Sequence, residues 1–164
     1  MKKAFAGLLA ALVLACGAER AAAQGTLPLS FGVRIDAGIP VGDTDDVLET
    51  GFGWGLEAAF DLTPTFALYG GYSSFSFDIT DTDVEADFDG FEAGGRVLLG
   101  TGGAVWTPYA QFGALFHEDE VGFEVGLGAD YPVGNALSLT PMARFRKIED
   151  VQYVTLGVGL SVRL

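Results

Sequence analysis

One histidine, His117, is available for acid–base work, and Glu118, Asp119 and Glu120 follow it directly. A hydrolytic site needs a nucleophile, commonly serine, beside a histidine base that a third group orients. No serine adjoins His117. Ser73, Ser74 and Ser76 lie in another segment, so such a site would have to be assembled in space. A second candidate is the run Asp81, Asp83, Glu85, Asp87 and Asp89, five carboxylates at alternate positions. Several oxygens on a flexible loop hold Ca²⁺ or Mg²⁺ weakly, although the glycine that an EF-hand loop needs at its sixth position is missing. A solvated acidic loop that discourages strand-edge pairing is the plainer account of the same run. The third candidate is a balanced set of charges in segments otherwise apolar or rich in glycine: Arg34, Arg96, Arg144 and Arg146 against Asp36, Glu57, Glu92 and Glu124. If these residues are confined together they must pair, because an unpaired buried charge costs several kcal/mol.

The acids show how the chain is organised. Residues 42–50 carry Asp43, Asp45, Asp46 and Glu49, and residues 78–89 carry six acids. Glu118, Asp119 and Glu120 form a third group, and Glu149 with Asp150 a fourth. The breaks between them, 62–65, 100–106 and 132–135, contain no acid. Alternate connections therefore differ in chemistry, as in a meander of strands whose two ends face different environments.

Between the connections, apolar residues recur at every second position, the period of a strand with two unlike faces. Phe31, Val33, Ile35, Ala37 and Ile39 oppose Gly32, Arg34, Asp36 and Gly38. Phe52, Trp54, Leu56, Ala58 and Phe60 oppose Gly51, Gly53, Gly55, Glu57 and Ala59. The same pattern predicts eight strands in all, most near the roughly 9–11 residues that cross a bilayer when tilted. The third strand, opening with Phe66 and Leu68, slips phase near Ser73-Ser74, where Phe75 and Phe77 fall on the wrong parity. Either a bulge or a strand that has already left the lipid explains the slip. Pro108 and Pro141 are expected near strand ends or bulges. The polar face is dominated by glycine with a few long charged residues, which suits a narrow interior better than a wet exterior. Aromatics group toward both ends: Phe52, Trp54, Phe91, Phe116, Phe123 and Phe145 at the acidic one, and Phe60, Phe66 and Tyr131 at the other, with Trp106 and Tyr109 close by. Two such girdles mark a membrane barrel.

The amino-terminal residues are expected to be removed. Lys2 and Lys3 precede the apolar run 4–15, and Ala21-Ala22-Ala23 before Gln24 is an A-x-A cleavage site, so 1–23 is read as a signal peptide. The alternative is a lipidated Cys16, but Leu14 fits a lipobox poorly. Cleavage after Ala23 leaves a single domain, 24–164, without a cysteine. Removing Lys2, Lys3, Arg20 and Glu19 from 9 basic and 22 acidic residues leaves 6 and 21, a net charge of −15. That balance excludes nucleic acid as a partner, since phosphate binding needs basic surface. No cofactor motif is present.

Taken together, the strand count, the short turn Asp61-Leu-Thr-Pro-Thr65, the segment Phe66-Ala-Leu-Tyr-Gly-Gly-Tyr72 and the last strand from Val154 to Leu164 resemble the small eight-stranded outer-membrane barrels of the OmpA/OmpX type. The resemblance implies an all-β, eight-stranded antiparallel up-and-down transmembrane barrel in the bacterial outer membrane, with short turns toward the periplasm and acidic connections outside. Connection 78–89 would be the longest. The last strand resembles the signal read by the barrel assembly machinery, although Leu164 stands where phenylalanine is usual. Lipid and lipopolysaccharide would surround a monomer. Eight strands enclose a lumen that side chains just fill. The leading expectation is therefore a non-enzymatic envelope or surface-interaction barrel. The alternative is a narrow channel or binding barrel for small, even hydrophobic, solutes. A lipid-modifying enzyme and a soluble lipocalin-like binder rank below both.

Overall fold

The structure, a computed structural model, describes residues 28–164 apart from 83, 101–104 and 118–119. The proposed signal peptide, its cleavage site and Cys16 lie outside the described residues. Eight strands follow one another: β1 Leu29–Pro40, β2 Gly51–Thr63, β3 Phe66–Asp78, β4 Glu85–Leu98, β5 Thr107–His117, β6 Glu120–Pro132, β7 Leu137–Ile148 and β8 Val151–Arg163. Each pairs antiparallel with the next, and β8 returns to β1, closing the barrel. Closure leaves no unpaired sheet edge, which is what lets strands cross lipid without exposing backbone polar groups.

Alternation fixes which face is out. Ile35 and Phe52 are 66% and 75% exposed on the outer wall, whereas Arg146 on the inner face is 1% exposed. Trp54, Tyr72 and Phe91 touch across β2, β3 and β4, with ring centroids 5.9 and 5.4 Å apart, and form part of the outer girdle near the acidic end. Tyr109 belongs elsewhere. It lies close to the opposite girdle along the chain but stands on the inward parity of β5, and its ring lies inside the barrel, under the Arg96 guanidinium at 4.1 Å.

Two expectations about β3 and its connection need correcting. No bulge occurs at Ser73-Ser74; from Ala67 onward β3 pairs without a register shift, with β2 through Ser76 and with β4 through Asp78. Phe75 and Phe77 keep the inward parity of Tyr69 and Ser73 and are buried in the lumen. The one irregularity on this strand pair falls between Asp61 and Thr63. The segment 78–89 is also not one long loop. β4 begins at Glu85, so its last acids stand on a strand. Pro108 is the second residue of β5. Pro141 lies inside β7, and the β6–β7 ladder skips there, from Gly128–Met142 to Tyr131–Leu139. A proline has no N–H to donate, so the gap is where it does least harm.

At the acidic end the segment between β1 and β2 folds inward. A 3-10 turn, Gly42–Thr44, is tied down because the Thr44 hydroxyl donates to the Asp150 carbonyl and accepts from the Gln152 amide. Leu48 bridges to Ile79 and drops into a cluster with Phe75, Phe77 and Tyr153.

Candidate functional site

The lumen is the part of this molecule with unusual chemistry. Its middle is filled by the eight charged residues named from the sequence, carried by β1, β2, β4, β6 and β7. Glu92 is the hub. Its Oε2 accepts from Arg34 Nη2 at 2.7 Å, from Arg146 Nη2 at 2.5 Å and from Ser73 Oγ at 3.3 Å. Asp36 lies between Arg34 Nε at 3.1 Å and Arg144 Nη2 at 2.8 Å. Glu124 lies 2.8 Å from Arg146 Nη2 and accepts from Tyr69 Oη at 2.5 Å and Gln111 Nε2 at 2.9 Å. Glu57 holds Arg96 at 2.8 Å. Arg144 and Arg146 are both 1% exposed. Four guanidiniums against four carboxylates leave no formal charge in this layer, and bidentate donors suit such crowding.

Glycines make the space. A Cβ on Gly55 would lie 2.6 Å from Arg34 Cζ, and one on Gly126 would lie 2.5 Å from Arg144 Cγ. At Gly157 the added carbon would overlap the Asp36 carboxylate. Gly157→Val is therefore expected to push Asp36 off Arg144 and lower stability by about 1–3 kcal/mol. Gly134→Ala, where nothing lies within 4 Å, is expected to leave it nearly unchanged. Urea midpoints of the two variants in lipid vesicles measure the difference.

Toward the acidic end the charged layer gives way to hydrocarbon. Phe75 and Phe77 stack at 6.1 Å, and Tyr153 meets them at 5.5 and 5.1 Å. Leu48 covers the group, with Phe88 and Ile79 at its edge. Toward the opposite end the lumen opens into a cavity of about 880 Å³, bordered by Arg96, Glu57, Asp61, Asp130 and Ser138. The interior is thus sealed at one end and hollow at the other.

The remaining candidates are dispersed. His117 Nδ1 contacts the Asp89 carbonyl, and its ring packs on Phe88. Ser73 is held inside by Glu92 and Arg146, and Ser76 donates to Glu85 and Asp87 outside. None of these serines is hydrogen-bonded to His117. Of the acidic run, Asp81 sits in a turn at φ 61°, and Asp83 is outside the described residues. Glu85, Asp87 and Asp89 project outward from β4. Among the described residues no three acids, histidines or cysteines are arranged to hold a metal.

Tyr69, Ser73 and Gln111 complete the network; Ser73 was named from the sequence only as a candidate nucleophile, and the other two were not singled out. Inward parity was the only signal that could have found them. Polar residues at glycine-rich inward positions are the ones that must meet a buried charge.

The sequence of residues 8–163 matches the family described as the outer membrane protein beta-barrel domain. This chain belongs to that family. It is a bacterial outer-membrane barrel that spans the bilayer with strands. Solved structures agree on the fold. Neisserial surface protein A aligns with a TM-score of 0.68 at 13% identity, over 86% of this chain and 100% of that one. Ail, the attachment invasion locus protein of Yersinia pestis, aligns at 0.55 and 12% identity, over 83% and 96%. The N-terminal barrel domain of Pseudomonas aeruginosa OprF gives 0.55 and 14%, over 82% and 97%. No curated protein matches the sequence.

Proposed function

We propose that this outer-membrane barrel serves the envelope as a closed, non-enzymatic structural or surface-interaction protein, with its acidic end outside and its short turns in the periplasm. The observation that carries this is the filled lumen: an ion-paired layer backed by the Leu48, Phe75, Phe77 and Tyr153 cluster. A solute crossing it would have to break paired charges in a low-dielectric interior and then displace packed aromatic rings. The dispersal of His117 and the serines supports the absence of hydrolytic chemistry. Lipid contacts the outer wall, lipopolysaccharide meets the acidic end, and the assembly machinery reads β8, whose Leu156, Val158, Leu160 and Val162 face outward. The closed sheet offers no edge for pairing, which favours a monomer.

Planar-bilayer recording tests the proposal. The purified protein is expected to insert without discrete conductance steps. Reproducible open-channel steps from the unaltered chain would replace this function with that of a narrow channel.

A further inference from the structure

The hollow half of the lumen is a blind vestibule, and one of its acids has no ion pair. Every cation that borders it is already matched: Arg34 with Asp36, Arg96 with Glu57, and Arg163 with Asp61 at 2.8 Å. Asp130 is not. Among the described residues it has no ion-pair partner, and its carboxylate accepts only the Thr140 hydroxyl, at 2.7 Å. Asp61 lies close enough to repel it and Arg96 close enough to attract it, but the Arg96 guanidinium is already held by Glu57 at 2.8 Å. One carboxylate thus has no ion pair of its own inside a recess whose walls include Ala67, Leu98 and Met142. A second observation points the same way. Tyr109 borders the vestibule, is 1% exposed, and its Oη has no hydrogen-bond partner.

A fixed negative charge in a concave, low-dielectric recess concentrates cations. The chemistry here favours an organic cation over a metal. A hard metal ion needs some six to eight oxygens gathered around it, and no group of three or more ligating side chains is arranged for this among the described residues. An ammonium group is satisfied by a single carboxylate with one or two neutral oxygens nearby. The apolar walls suit a short hydrocarbon body.

We infer that the vestibule binds small organic ammonium ions, with the charged head on Asp130 and the hydrocarbon body against Leu98 and Met142. The site is blind, so it binds without conducting, and it stands or falls independently of the closed-lumen function.

The test is a calorimetric titration of n-butylammonium chloride into the folded barrel in uncharged micelles. Saturable binding at one site is expected for the unaltered chain, and none for n-butanol. Asp130→Asn is expected to weaken binding at least tenfold. Ser138→Phe obstructs the vestibule without touching a charge and is expected to weaken it as well. Each variant is first checked for the heat-dependent gel shift of a folded barrel. If Asp130→Asn fails to fold, Ser138→Phe decides. No saturable heat with the unaltered chain overturns the inference, as does binding unchanged in the folded variants. Loss of binding on adding an equal concentration of sodium chloride would assign the recess to inorganic cations and overturn the choice of ammonium.

Discussion

Replacing Glu92 with alanine is expected to remove about 3–5 kcal/mol of folding stability. Glu92 is 2% exposed and is shared by Arg34, Arg146 and Ser73, with Arg144 Nη1 at 3.8 Å. Without it, four guanidiniums face three carboxylates in a space that water scarcely enters. The loss comes mainly from stranding that charge, and less from the bonds themselves. Glu92→Gln keeps the shape and an acceptor but strands the same charge, so it is expected to fall closer to alanine than to the unaltered chain. The exposed pair Arg163–Asp61 provides the contrast, with side chains 61% and 30% exposed. Its loss through Arg163→Ala is expected to cost about 0–1 kcal/mol, as for other solvated pairs. Equilibrium urea unfolding in lipid vesicles measures all three. A Glu92→Ala cost as small as that of Arg163→Ala would mean that the layer is solvated and the lumen is not filled as described.

Phe77→Ala is expected to cost about 3–5 kcal/mol, the range for deleting a fully buried aromatic ring. Phe77 stacks on Phe75, meets Tyr153 edge-on at 5.1 Å and Phe88 at 5.7 Å. Gly38 and Gly51 leave the ring its room, since a Cβ on either would lie 2.6 Å or 2.7 Å from it. The surrounding wall is a hydrogen-bonded sheet and cannot collapse into the gap, which places the cost toward the upper part of the range. Removing the ring also thins the seal at the acidic end. The same urea assay gives the energy. A cost below about 1 kcal/mol would show that the aromatic cluster is loosely packed and that the seal depends on the charged layer alone.

The barrel was legible in the sequence because its two faces obey incompatible solvents. Phe31, Val33 and Ile35 cannot exchange places with Gly32, Arg34 and Asp36 without putting charge into lipid, so parity alone assigns the walls. The four arginines and four acids of the charged layer, all on inward parity, followed from the same constraint. Phe75 and Phe77 were harder. An aromatic residue on the inward parity looks like an error of phase while the interior is assumed polar throughout. The lumen in fact changes character along its axis, from hydrocarbon to paired charge to open recess, and period-two alternation carries no information along that direction. The acids Glu85, Asp87 and Asp89 look like loop in composition. They form strand because Asp78, Ser76 and Ser74 on β3 supply the ladder partners. The vestibule depends on which side chains are short near one end of a closed sheet, and only the closed sheet reveals it.

The most direct measurement of the account is thiol accessibility along the lumen. Cys16 is the single cysteine of the chain, so a cysteine placed within 24–164 is the only thiol there. Thr155 is 0% exposed and lies in the filled part of the lumen, whereas Ser138 borders the open vestibule. The folded Thr155→Cys and Ser138→Cys barrels are treated with a small charged methanethiosulfonate. The account predicts rapid labelling of Ser138→Cys and protection of Thr155→Cys until the barrel is unfolded by heat. Equal labelling of the two in the folded barrel would contradict it, because the lumen would then be a water-filled passage from end to end.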